Sequence, residues 1–165
     1  MSKPVGSSHE TGADVERVHG VLAGPGWADR RAAALGDGSR VVERQERADG
    51  GVRLVMSREL PAGGPGFLQR FLPPDRRVVQ TDDWGPPQDG GRRGTWQVAI
   101  PGVPARLEGT MALEPTATGS RHVVDGTITV PVPLVGGKAE AFIAEMVDKL
   151  GAREAEVLRE ALSDG

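Results

Sequence analysis

The chain of 165 residues contains no cysteine. That excludes a disulfide frame, a thiolate nucleophile and any cysteine-based metal site. It fits a reducing compartment, and a cytoplasmic location is the expectation. Long apolar runs are also missing. The longest, Ile128 to Val135, is broken by Thr129, Pro131 and Pro133, whereas a membrane helix needs about 20 apolar residues. No integral membrane segment is expected. The opening MSKPVGSSHETGADVERV lacks the apolar core of a signal peptide. There is no excess of basic charge. The 20 Lys and Arg stand against 23 Asp and Glu, for a net charge of −3. A nucleic-acid surface carries a basic stripe, so no nucleic-acid partner is expected. Phosphate-cradling patterns are absent too. Gly24-Pro25-Gly26 lacks the strand–glycine–helix context, and no lysine of the Walker type follows a glycine run. No Gly-x-Ser-x-Gly elbow occurs. The three histidines, His9, His19 and His122, form no H-E-x-x-H pattern. Neither a metal site nor a cofactor is implied.

What is present is one domain's worth of chain, residues 1–165, with 38% hydrophobic and 26% charged residues. Its most informative stretch is Gly136 to Leu162. Phe142, Ile143, Met146, Val147, Leu150, Val157, Leu158, Ala161 and Leu162 recur there at helical spacing. Glu140, Glu145, Asp148, Lys149, Arg153, Glu154, Glu156, Arg159 and Glu160 fall between them as an expected wet face. Gly151 interrupts the pattern, as a bend that follows a curved sheet or as a hinge.

Upstream, residues 3–11 read as a strand. Asp14 caps a helix carrying Val15, Val18, Val21 and Leu22, and Gly24-Pro25-Gly26 ends it. A second helix covers Trp27–Leu35, closed by Gly36-Asp37-Gly38. Strands Arg40–Arg47 and Val52–Leu60 flank a turn at Ala48–Gly51. A connector, Pro61–Gly66, leads to a short helical element with Phe67, Leu68, Phe71 and Leu72. Four more strands follow: Arg76–Trp84, Arg92–Ile100, Arg106–Glu114 and His122–Val130. The order predicts an α+β fold: a seven-stranded, curved antiparallel sheet around a long C-terminal helix, with two short helices after the first strand.

That order is the helix-grip fold. Along it stand Trp27-Ala28-Asp29-Arg30 with Ala33–Gly36, Leu60-Pro61 with Pro65, Trp84, Gly102-Val103-Pro104, and Val132–Lys138 with Glu140. In these residues, their order and their spacing the chain resembles an actinobacterial family of unknown function within the START-like (SRPBCC) superfamily. That superfamily includes polyketide cyclases, plant pathogenesis-related class-10 proteins and lipid-transfer domains. Family members often end with a tryptophan, where Ala161-Leu162 stand here. The resemblance implies a fold and an apolar cavity, and it transfers no catalytic residue.

The expected function is binding of a small apolar molecule or lipid between sheet and terminal helix. Strand alternation and the helix stripe nominate Leu54, Met56, Val78, Gln80, Trp84, Trp96, Val98, Met111, Leu113, Ile128, Phe142, Ile143 and Met146 as its lining. One alternative is a cyclase- or hydratase-type enzyme using the same cavity. Asp82 or Asp83, His122 and Arg58 are its acid–base candidates. Adjacent strand residues face opposite ways, so only one of the two aspartates points inward. Arg53, Arg58 and Glu59 allow an inward ion pair. Another alternative is a partner-binding module that uses the acidic stripe Glu145, Asp148 and Glu156. No oligomeric state follows from the sequence.

Overall fold

The computed structural model describes residues 2–60, 66–70 and 72–164. Pro61 to Pro65 of the connector, and Phe71, lie outside the described residues. The element order is β1 (Ser2–Thr11), α1 (Val15–Leu22), α2 (Trp27–Leu35), β2 (Arg40–Glu46), β3 (Val52–Glu59), α3 (Gly66–Gln69), β4 (Arg77–Trp84), β5 (Arg92–Ala99), β6 (Arg106–Thr116), β7 (Gly119–Thr129) and α4 (Gly136–Ser163).

The strands form one curved seven-stranded sheet in the order β1-β7-β6-β5-β4-β3-β2, antiparallel throughout. Consecutive hairpins build β2 to β7, and β1 closes onto β7. Because β1 and β2 are the two edges, α1 and α2 must carry the chain across the sheet. Both start and stop where local chemistry directs. Asp14 Oδ1 accepts the Arg17 N–H at 2.8 Å, a helix cap. Gly36 ends α2 at φ 64°, in the left-handed region that glycine favours.

The strands β6 and β7 run further than the alternation indicates. They pair up to Thr116 and Gly119 across a two-residue turn, so His122 lies inside β7 and not at its start. Pro115 sits opposite Ser120 in that ladder. The inner face of the sheet carries alternate residues from every central strand, with Leu54, Met56, Val78, Trp84, Leu113 and Ile128 almost wholly enclosed.

Helix α4 lies against β1 and β7 of the sheet and against α1 and α2. Its 28 residues run unbroken through Gly151. Two members of its expected wet face turn to partners within the protein instead, one buried and one half-buried. Glu140 is 2% exposed, beyond the first helical turn, and its Oε2 accepts the Val130 N–H at 2.8 Å. That bond ties the helix to the chain just past β7, where Pro131 and Pro133 prevent the ladder from continuing. Glu154 is the second. It is ion-paired to Arg31 of α2, which is only 1% exposed and also pairs with Asp37 at 3.1 Å. The buried face of α4 is rich in alanine: Ala139, Ala144, Ala155 and Ala161 share it with Ile143, Val157 and Leu158.

Candidate functional site

A cavity of about 390 Å³ lies between the inner sheet face, the α1–α2 corner and the C-terminal half of α4. Its existence follows from side-chain size. From the helix, Val147, Gly151, Ala155 and Leu158 line it at helical spacing, together with Glu154. Gly151 and Ala155 are too small to fill the space in front of the sheet. From the sheet come Val5, Trp84, Trp96, Val98, Leu107, Met111 and Val124, and from the corner Leu22 and Trp27. Exposed residues at the rim include Glu10, Asp148 and Arg159.

The position of Trp96 depends on two glycines. It pairs with Gly109, which in turn pairs with Gly126. A Cβ on Gly126 would collide with the Trp96 ring, and one on Gly109 with the backbone of Asp125. Trp96 Nε1 donates to the Asp125 carbonyl at 3.1 Å. The indole thus lies over two strands that have no side chain at that point.

Of the nominated lining residues, Gln80, Trp84, Trp96, Val98 and Met111 lie on the cavity wall. Leu54, Met56, Val78, Leu113, Ile128 and Ile143 belong to the packed core. Phe142 and Met146 are half-buried, and neither they nor Ile143 reach the cavity. The helix meets it later in sequence, from Val147 onward. The stripe was expected to meet it earlier, at Phe142, Ile143 and Met146, and α1, α2 and Glu154 account for the difference. They hold the C-terminal half of α4 over the sheet, a tertiary arrangement that periodicity does not reveal.

One end of the cavity is polar. Arg58 enters it from β3, and Asp82 from β4. Asp83 points the other way and pairs with Arg47 at 2.8 Å. Gln80 bridges Arg58 and Asp82. Its Oε1 accepts from Arg58 Nη2 at 3.2 Å, and its Nε2 donates to Asp82 Oδ1 at 3.1 Å. Burial pushes the pKa of Asp82 up to about 6, and the Gln80 hydrogen bond opposes that rise. The inward ion pair imagined among Arg53, Arg58 and Glu59 does not form, because only Arg58 faces inward. Glu59 pairs with Arg77 at 3.2 Å instead.

On the opposite wall, His9 of β1 stands directly across from His122 of β7. Both line the cavity, and Nε2 of each is enclosed without a hydrogen bond. Burial lowers the His122 pKa to about 4, so this imidazole is neutral at pH 7. Trp84 lies between His122, with ring centres 6.3 Å apart, and His19 of α1, edge-on at 5.5 Å. The cross-strand histidine pair is not visible in sequence, since 112 positions (122 minus 9, less one) separate the two. Among the described residues, no group of three or more His, Cys, Asp or Glu side chains comes together as a metal site.

Comparison with known proteins places this geometry in a family. The profile described as "Protein of unknown function (DUF2505)" matches residues 7–162. The chain belongs to the DUF2505 family. An uncharacterised protein of Mycobacterium tuberculosis is 31% identical over 101 residues, covering 60% of this chain and 56% of the relative. An uncharacterised protein of Mycobacterium bovis matches to the same extent. The chain thus matches just over half the length of these curated relatives. Among solved structures, norcoclaurine synthase from Thalictrum flavum superposes with a TM-score of 0.58 at 15% identity, covering 100% of this chain and 88% of that one. A START superfamily protein from Mycobacterium smegmatis gives 0.55 at 13% identity, covering 96% and 98%. At such identities the likeness is one of fold, and this DUF2505 chain has the START-like fold.

Proposed function

We propose that this DUF2505 protein binds one small, largely apolar molecule or lipid in the cavity between sheet and α4. The carrying observation is a space of about 390 Å³, walled by apolar side chains and ended by a few convergent polar ones. Small-molecule sites run from about 300 to 1,000 Å³ with that mixture of lining. The chain has three tryptophans and no tyrosine, and Trp27, Trp84 and Trp96 all line the cavity. Its intrinsic fluorescence is therefore a direct gauge of occupancy. Native mass spectrometry of protein purified from its own host is the primary test. A retained apolar guest whose removal changes the tryptophan emission is expected. Repeated purification without a guest, and no emission change with any apolar compound offered, would sink the proposal.

A second reading is an enzyme that uses the same cavity. It is favoured by one observation: an inward Asp82, its pKa raised to about 6, on a wall facing His122. Such a carboxyl is suited to proton transfer near neutral pH. Should a reaction be found, an Asp82→Asn/His122→Ala double variant is expected to lose at least a hundredfold in kcat. An unchanged kcat would remove the assignment.

A further inference from the structure

The chemistry of the guest's head group can be taken further, on the footing of the cavity reading above. Arg58 is 8% exposed and enters the polar end of the cavity beside Gln80 and Asp82. A guanidinium has five N–H donors. Here they meet one acceptor among the described residues, Gln80 Oε1, at 3.2 Å from Nη2 and 3.4 Å from Nε. Nη1 donates to nothing described. No described carboxylate forms an ion pair with Arg58: Asp37 and Glu154 are both committed to Arg31. Burial lowers the pKa of Arg58 and outweighs Glu154, Asp37 and Asp82, which act on it through space only. A cation bonded directly to nothing but a neutral amide thus keeps much of its desolvation cost. The cost is lowest when an anion supplies the missing acceptors, and the fork of a guanidinium fits a carboxylate best.

We propose that the guest is an amphipathic carboxylic acid. Its carboxylate is held by the unpaired side of Arg58, and its apolar body lies along Trp84, Trp96 and Met111. A carboxylate so placed comes close to Asp82. Two carboxylates close together resist simultaneous ionisation, so Asp82 takes up a proton as the guest arrives. Free Asp82 already sits at about 6 through burial. Affinity therefore falls as pH rises above about 6, by up to tenfold per unit. The cavity that Asp82 enters is also lined by Arg58 from β3, Gln80 and Trp84 from β4, and Trp96 from β5. His122 comes from β7, His9 and Glu10 from β1, and Glu154, Asp148 and Arg159 from α4. Arg31 of α2 lies behind Glu154. His122, with its pKa lowered to about 4, does not change charge in this range.

The test is isothermal titration calorimetry at pH 5.5 and pH 8 with four probes. Decanoate and 2-naphthoate represent alkyl and aryl acids, and decanol and 2-naphthol are their neutral counterparts. At least one acid is expected to bind more than tenfold tighter than its alcohol at pH 5.5, and which one does so separates the alkyl from the aryl source. Arg58→Gln is expected to abolish the preference, so that the acid binds no tighter than its alcohol to the same variant. Arg58→Lys, which keeps the charge and loses the fork, should retain part of the preference and covers the case in which Arg58→Gln does not fold. Asp82→Asn should hold acid affinity level between the two pH values. Alcohols binding as well as acids, or a preference that survives Arg58→Gln, would overturn the head-group assignment alone. Failure of all four probes to bind would count against the cavity reading as well.

Discussion

Arg31 shows how much one side chain can set. It sits in an alanine-rich helix where an arginine ordinarily faces water, yet it is 1% exposed. Glu154 of α4 and Asp37 after α2 both pair with it, and Ser39 Oγ accepts from its Nε at 3.4 Å. Burial alone would lower its pKa; the two carboxylates reverse the direction and raise it. Removing the cation leaves two carboxylates with no partner for their charge. Arg31→Ala is expected to cost about 3–5 kcal/mol of folding stability, measured by urea denaturation. A loss below about 1 kcal/mol would mean that the network is solvated and does not hold α4 in place. Trp96 is the opposite kind of residue. It holds its position because Gly109 and Gly126 present no side chain beneath it.

At the level of the element, α4 decides whether there is a cavity. An amphipathic helix of this length would ordinarily fill the hollow of a sheet with leucine and phenylalanine. Here the turns over the hollow carry Gly151, Ala152 and Ala155. Gly151 is helical, and a Cβ placed on it meets no atom within 4 Å. Gly151→Ala is therefore expected to raise stability by about 1 kcal/mol, read from the urea midpoint. It should leave the rate of guest exchange, followed by stopped-flow tryptophan fluorescence, unchanged. A slowed exchange would instead identify Gly151 as a hinge that opens the cavity.

For the whole molecule, buried titrations set the response to acid. His19 and His122 each have a pKa lowered by burial from 6.5 to about 4. The folded state thus binds fewer protons than the unfolded state between those values, and stability rises with pH across them. Asp82 works the other way. Its pKa is raised by burial from 3.8 to about 6, so stability falls as pH rises through that window. Two groups oppose one. Between pH 4 and 6 the balance is roughly one proton, or about 1.4 kcal/mol per pH unit. Thermal denaturation is expected to show Tm increasing from pH 4.5 to pH 6. In Asp82→Asn the increase should be about twice as steep. A flat profile in the variant would show that the histidines are solvated.

The amino-acid order determined the type and succession of the elements by itself. Alternation at Leu54 and Met56, or at Met111 and Leu113, groups the side chains that share a face, because strand side chains repeat every two residues. The three-to-four spacing after Gly136 sets the terminal helix in the same way. Local signals of that kind report only on neighbours a few positions away. The tertiary structure decided what lies across the hollow. It brought His9 opposite His122, buried Arg31 against Glu154, and put Val147–Arg159 at the cavity where Phe142, Ile143 and Met146 were expected. Those outcomes depend on contacts between residues more than a hundred positions apart, whose energies no short stretch of sequence contains.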